Sequence, residues 1–263
     1  MINCINSVLF AYIYLPLQTT NDTFLTAMQL FYAPDMEGPE YTLGAEESKH
    51  CVRVLRLGEG ERIDITDGRG NMYRCRITHA DARRCTVRTE STERNFEPLP
   101  YRLVMAVAPT KNTDRFEWFL EKAAEIGVSE IIPLECARSE RRSFKTERGN
   151  KVLVSAMKQS LKAHLPLLHE TMTFAQAMKM PFGGRRFIAH CDRSLGERLY
   201  LPAAIERGGE AMIFIGPEGD FSPEEIALAA ECGCTPVTFG PQRLRTETAA
   251  MVAVAMVAAA NYE

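Results

Sequence analysis

The chain has little of what marks several common functional classes. Its 263 residues include five histidines and one tryptophan, and the formal net charge is −3. No global basic field marks it for nucleic acid, so any such surface must be a local patch. None of the eight cysteines (4, 51, 75, 85, 136, 191, 232 and 234) stands in a C-x-x-C pair or a zinc-type Cys/His spacing; only Cys232 and Cys234 are close. Scattered thiols in a chain of this size point to a reducing, cytoplasmic setting with no disulfide framework and no metal. The apolar run Val8 to Leu15 has no Lys or Arg before it and falls far short of the roughly 20 residues a spanning helix takes. Neither a membrane span nor a signal peptide is expected.

What is present is a globular balance, 46% hydrophobic and 25% charged, long enough for two ordinary domains. Residues 1–27 read as an extension of unclear role ahead of a natural start at Met28. From 28 to 98 short alternating runs are broken by turns: Glu61 to Gly68, Met72 to Ile77 and Arg84 to Arg88. This is the pattern of a small β-barrel or sandwich with Arg74, Arg76 and Arg84 facing outward. Glu46 to Arg56 has helical spacing, with His50, Arg53 and Arg56 on one side. After the Pro-rich link 95–100 the pattern becomes strand, helix, strand: Leu103 to Ala108, then a helix opening at an Asp114–Glu117 capping box and burying Phe116, Phe119, Leu120, Ala123 and Ala124, then Val128 to Leu134. A basic loop around Arg138, Arg141 and Arg142 and a helix over Val152 to Ala163 follow. Next come a strand at Phe187 to His190, a helix over Leu195 to Ile205 interrupted near Pro202, and a strand Ala211 to Ile215. The final helix, Ala249 to Ala260, is apolar on nearly every side and must be covered by core or by a second subunit. The fold class is therefore α/β, mostly parallel, preceded by a smaller β domain.

Two glycine-bearing loops close in sequence, Gly216 to Phe221 and Phe239 to Thr248, each follow a strand and lead into a helix. In an open α/β sheet, ligands bind at such loops, beyond the carboxyl ends of the strands. Neither loop fits the dinucleotide or P-loop fingerprint, so an oxidoreductase reading has no motif behind it. Ser222-Pro223-Glu224-Glu225 is a strong helix start. In the second loop Thr246 can cap the last helix and Glu247 can meet its dipole. Arg243 and Arg245, cations near a helix N-terminus, suggest an anionic partner instead. Two local patches carry strong positive charge: six Arg against one acid between Arg69 and Arg88, and eight basic residues against two acids between Arg138 and Lys162.

The strings GPEGDFSPEE (216–225) and LRTETAA (244–250), with EKAAEIGV (121–128) and HCVRVLRLGEGERIDITDGRG (50–70), resemble the bacterial ribosomal RNA small subunit methyltransferase E family, of the SPOUT class. The resemblance covers residue 28 to the C-terminus. It implies a PUA-like RNA-binding barrel over 28–98, a methyltransferase domain over 99–263 with a deep trefoil knot, and a homodimer. The implied reaction is transfer of a methyl group from S-adenosyl-L-methionine to N3 of one uridine of 16S ribosomal RNA in the small subunit. Carried over by residue, Ile188, Ala189, His190, Ile215, Gly216, Gly219, Phe239, Gly240 and Leu244 should enclose the methyl donor. Arg245 is expected to steady charge on the base, and Glu247 either to accept the proton or to cap the helix. Arg53, Arg56, Arg74, Arg76, Arg84, Arg138, Arg141 and Arg142 are expected to follow RNA phosphates. The chain departs from the family pattern at Asp220, where a second Gly is usual, at Gln242-Arg243, where Arg-Ile is common, and at Lys158 to Lys162. Rival readings keep the fold with another RNA as target, or keep RNA binding without catalysis.

Overall fold

The computed structural model describes residues 29–192 and 197–262. The segment read as an extension therefore lies outside the described residues, as do Met28 and part of the helix expected over Leu195 to Ile205. The first unit is a five-stranded sheet in the order β1-β3-β4-β5-β2. Its strands are β1 (Leu30–Tyr32), β2 (Glu40–Thr42), β3 (Arg62–Thr66), β4 (Met72–His79) and β5 (Thr86–Glu93). The helix α1 (Ala45–Lys49) runs on into a π turn over His50–Val54 and stops at Arg56, whose φ is +59°. Alternation along the strands sends Ile63, Ile65, Cys75, Ile77 and Val87 inward onto Phe31, Leu43, Cys51 and Cys85, as the period of two requires. Cys51 and Cys85 are buried with their sulfurs 3.9 Å apart.

The second unit is an eight-stranded sheet in which every pairing is parallel. Its strands are β6 (Arg102–Val107), β7 (Glu130–Glu135), β8 (Leu167–Leu168), β9 (Met172–Thr173), β10 (Arg185–Ala189), β11 (Leu199–Tyr200), β12 (Glu210–Ile215) and β13 (Thr235–Thr238). The order is β11-β13-β10-β12-β6-β7-β8, with β9 also on β7. Central strands buried on both faces need continuous apolar runs, which β6 and β12 supply. One face carries α2 (Thr113–Ile126), α3 (Thr146–Gln159), α5 (Leu201–Ala204) and α7 (Thr246–Asn261); the other carries α4 (Phe174–Met178) and α6 (Pro223–Glu231).

Several local expectations are corrected. The cap of α2 is Asn112, whose side chain accepts from the Asp114 amide; Asp114 lies inside the helix. The five residues expected on its apolar face are the five it buries, and Gly127 closes it at φ +138°. The α3 helix begins at Thr146 and ends at Gln159, because Leu161 turns to φ +57°. Around Pro202 there is a two-residue strand and one helical turn. The short elements β8, β9 and α4 were not foreseen.

The two units meet along 66–71 and 158–165. Gly70 N donates to Ala163 O and Leu165 N to Gly68 O, both at 2.8 Å. Gly70 holds φ +95°, and a Cβ there would lie 2.5 Å from the His164 ring, so this contact is built for glycine. A half-buried Lys158–Glu47 pair adds a second tie.

Candidate active site

The ends of β10, β12 and β13 lie side by side, and the loops that leave them wall a cavity of about 690 Å³. This is where a parallel sheet places its ligands. The first loop is held on several sides. A Cβ on Gly216 would meet the Phe221 ring at 3.1 Å and the Phe221 amide at 3.2 Å; that phenyl is 2% exposed and packs on Phe174. Glu218 accepts from the Lys111 amide at 3.0 Å. The Arg138 guanidinium donates to Gly219 O at 3.0 Å and Phe221 O at 3.2 Å. Asp220, at φ +62°, sits where glycine is easiest. Its carboxylate offsets that strain by accepting from the amides of Phe221 at 2.9 Å and Cys191 at 2.8 Å, which accounts for the departure from the family pattern. Ser222 and Glu225 then close a capping box on α6.

The second loop is differently made. Gly240 has φ +126° and open space where a Cβ would stand, and the Thr238 hydroxyl ties its N–H and C=O. Pro241, Gln242, Arg243 and Arg245 are exposed. Arg245 is the N-cap of α7 and gives no side-chain capping bond. Thr246 does not cap this helix as the sequence suggests. Its hydroxyl is buried and donates to Gly216 O at 3.1 Å, tying the two loops together. Glu247, 8% exposed in the first turn, lies 3.6 Å from Arg115 Nη1.

His190 follows the last residue of β10 and is 4% exposed, with its Nδ1 without a hydrogen-bond partner. Burial lowers its pKa below the ordinary 6.5; the Asp220 carboxylate opposes the shift and the Arg198 charge adds to it. Its carbonyl accepts from Arg198 Nη1 at 2.6 Å. A neutral imidazole with an orphaned buried nitrogen is an open polar contact on a cavity wall.

Of the expected donor-site residues, Ala189, His190, Ile215, Gly216, Phe239, Gly240 and Leu244 line the cavity, as do Arg245 and Glu247. Two do not. Ile188 faces the core on the α4 side of the sheet, because alternation along β10 turns it away from its neighbours. Gly219 faces Arg138. Arg115, Cys191, Arg198, Glu218 and Asp220 line the cavity without having been singled out for it. Arg115 had one signal: it stands in the first turn of the helix that follows β6, the neighbour of β12.

The arginines expected to follow phosphates divide into two groups. Arg74 pairs with Asp64, Arg76 with Glu90 and the Gly60 carbonyl, and Arg142 with Glu135. Arg141 holds the carbonyls of Thr110 and Lys111, and Arg138 holds the first loop. Arg84 lies in the turn before β5 rather than on a strand. Arg53, Arg56 and Arg84 are exposed and have no side-chain partner among the described residues. Nor is any described helix long and apolar enough to cross a membrane.

The sequence matches the family described as RNA methyltransferase domain over residues 97–258, and the RNA methyltransferase PUA domain over 43–90. It is 29% identical over 234 residues to the ribosomal RNA small subunit methyltransferase E of Bacillus subtilis, covering 84% of this chain and 90% of the relative. A probable rRNA-methyltransferase from Porphyromonas gingivalis superposes with a TM-score of 0.83 at 41% identity, over 89% of this chain and 98% of the other. The Neisseria gonorrhoeae ribosomal RNA small subunit methyltransferase E, solved bound to S-adenosyl methionine, superposes with a TM-score of 0.77 at 27% identity, over 87% and 95%. A mostly parallel α/β domain behind a PUA domain is thus shared along nearly the whole chain, and the protein belongs to the RNA methyltransferase family, among the ribosomal RNA small subunit methyltransferase E proteins.

Proposed function

We propose that this protein transfers the methyl group of S-adenosyl-L-methionine to N3 of one uridine in 16S ribosomal RNA of the small subunit. The observation that carries the reading is the cavity where the two loops meet, with Arg245 and Glu247 at the mouth of α7. Its walls suit the donor. Phe239, Leu244 and Ile215 offer an apolar bed for an adenine, Gly216 and Gly240 leave backbone open, and His190 Nδ1 awaits a polar atom. Glu218, Asp220 and Glu247 place carboxylates around a cationic sulfonium.

The bound donor supplies an activated methyl. The S–CH₃ bond breaks with its electron pair left on sulfur, the N3 lone pair forms the new N–C bond, and the N3 proton departs. The protein's task is to align N3 behind the methyl. It must also bear the negative charge that a weakly acidic N–H leaves on the ring. Arg245, exposed and unpaired, is assigned that charge.

Residues 28–98 form the RNA-binding part and 99–263 the catalytic part. Arg53, Arg56 and Arg84 are the free phosphate contacts that guide a base turned out of its stack, while the paired arginines hold the fold. Half-exposed Met251, Val252 and Met256 with exposed Ala259 and Tyr262 give α7 an outer apolar stripe that a second copy covers in a homodimer. The setting is cytoplasmic. Labelled donor incubated with small subunits lacking the modification should label their RNA, and binding should weaken steeply with salt. Label on transfer RNA instead would keep the enzyme and change its target, and a flat salt response would remove the phosphate-contact role.

A further inference from the structure

Arg115 in the first turn of α2 and Glu247 in the first turn of α7 bring a cation and a carboxylate from two helices to one end of the cavity. The carboxylate side is 10% exposed and the guanidinium side 47%. At 3.6 Å the contact is ionic rather than a hydrogen bond. No other side chain among the described residues bonds either group, so the guanidinium keeps its N–H donors on the cavity wall. Arg245, which has no side-chain partner among the described residues, lines the same cavity. Uracil presents two carbonyl oxygens, O2 and O4, one on each side of N3, so two cations match the two places where charge gathers once N3 loses its proton.

We propose that Arg115 is a catalytic residue, sharing with Arg245 the charge on the two carbonyls beside N3, and that Glu247 is the positioning residue that aims it rather than the group that takes the proton. The proposal rests on the uridine reading above. The N3 proton passes to water or buffer base at the cavity mouth, and the resulting ring anion attacks the methyl carbon. Two arginines also set base choice. Cytosine carries an amino donor in place of O4, and a guanidinium facing it would leave donors opposed and unpaired.

The test is turnover on unmodified small subunits from about pH 7 to about pH 9, above the range in which a lowered His190 titrates. Donor affinity is followed by calorimetry. Arg115→Ala should lower kcat about 100-fold, with donor affinity within about twofold of wild type. Arg115→Lys should recover part of the loss, as a point charge without the planar fork. Glu247→Gln should lower kcat about tenfold and leave the rise of rate with pH unchanged, since aim and not proton transfer is lost. Wild-type kcat should climb through the whole range. A wild-type plateau with turnover abolished by Glu247→Gln would make Glu247 the base and overturn the proposal. Arg115→Ala within about threefold of wild type would overturn it as well, being far short of the loss of a transition-state contact. Donor binding by wild type with no methyl in small-subunit RNA would fail the underlying reading, and this proposal with it.

Discussion

The two loops that wall the cavity are built on opposite plans. The first, 216–221, is braced by groups from outside itself: the Arg138 guanidinium, the Lys111 and Cys191 amides, and the Thr246 hydroxyl. The second, 239–245, is tied near its start by the Thr238 hydroxyl and at its end by the Ala249 amide on Arg245 O, and its two arginines are exposed and have no side-chain partner among the described residues. A braced loop presents backbone at fixed positions and loses little freedom when it binds. An unbraced loop with free cations must be ordered by what it meets. On the function proposed above, both loops would face the donor, the first as a fixed wall, and the exposed arginines of the second would respond to the RNA.

That division makes predictions of graded size. The largest belongs to the open loop. Arg245→Ala should cut kcat by roughly 10²- to 10³-fold, as removal of one preorganised charge contact does, with donor affinity near wild type. Single-turnover transfer alongside calorimetry separates the two, and a loss confined to donor affinity would erase the distinction between the loops. Next is the brace itself. Arg138→Ala removes a cation that satisfies two carbonyls, worth about 1.5–3 kcal/mol, so donor affinity should fall about tenfold or more by calorimetry. The tie between loops is smaller: Thr246→Val should cost about 1 kcal/mol, seen as a melting-temperature drop of roughly 2–4 °C for a chain of this size.

The least effect is a pH response. His190 has its pKa lowered by burial, so the unfolded chain binds a proton more readily than the folded one near the ordinary value of 6.5. Stability from this group is therefore fully present above about 6.5 and lost as pH falls through the lowered folded value. Melting curves below neutral pH should show that decline in wild type and less of it in His190→Gln.

Much of this architecture is legible in the chain because its signals are local. The run Leu103 to Val107 becomes a central strand, the apolar face of α2 is buried residue for residue, and Ser222-Pro223 starts α6. What is not legible depends on partners distant in sequence. The α3 helix begins three residues before Gly149, a residue that reads as a breaker. In the fold a Cβ there would lie 2.4 Å from Leu168 and 2.6 Å from Phe144, so close packing requires glycine and overrides propensity. The two-residue strands β8 and β9 exist only because β7 offers them a ladder. At the site, glycine loops and the Arg245-Thr246-Glu247 string locate the cavity. The threonine's true partner is 30 residues away, and the Arg115–Glu247 pair joins helices whose order in the chain gives no hint of contact. The outward arginines of β4 match the strand period, but their pairing with Asp64 and Glu90 follows from strand register.

The most direct test of the account is the chemical identity and place of the transferred methyl. Small subunits lacking the modification, incubated with labelled S-adenosyl-L-methionine and this protein, would be digested to nucleosides and the label mapped along the 16S RNA. The account predicts one labelled site, recovered as N3-methyluridine. Label on a ribose, on another base or in another RNA would contradict it.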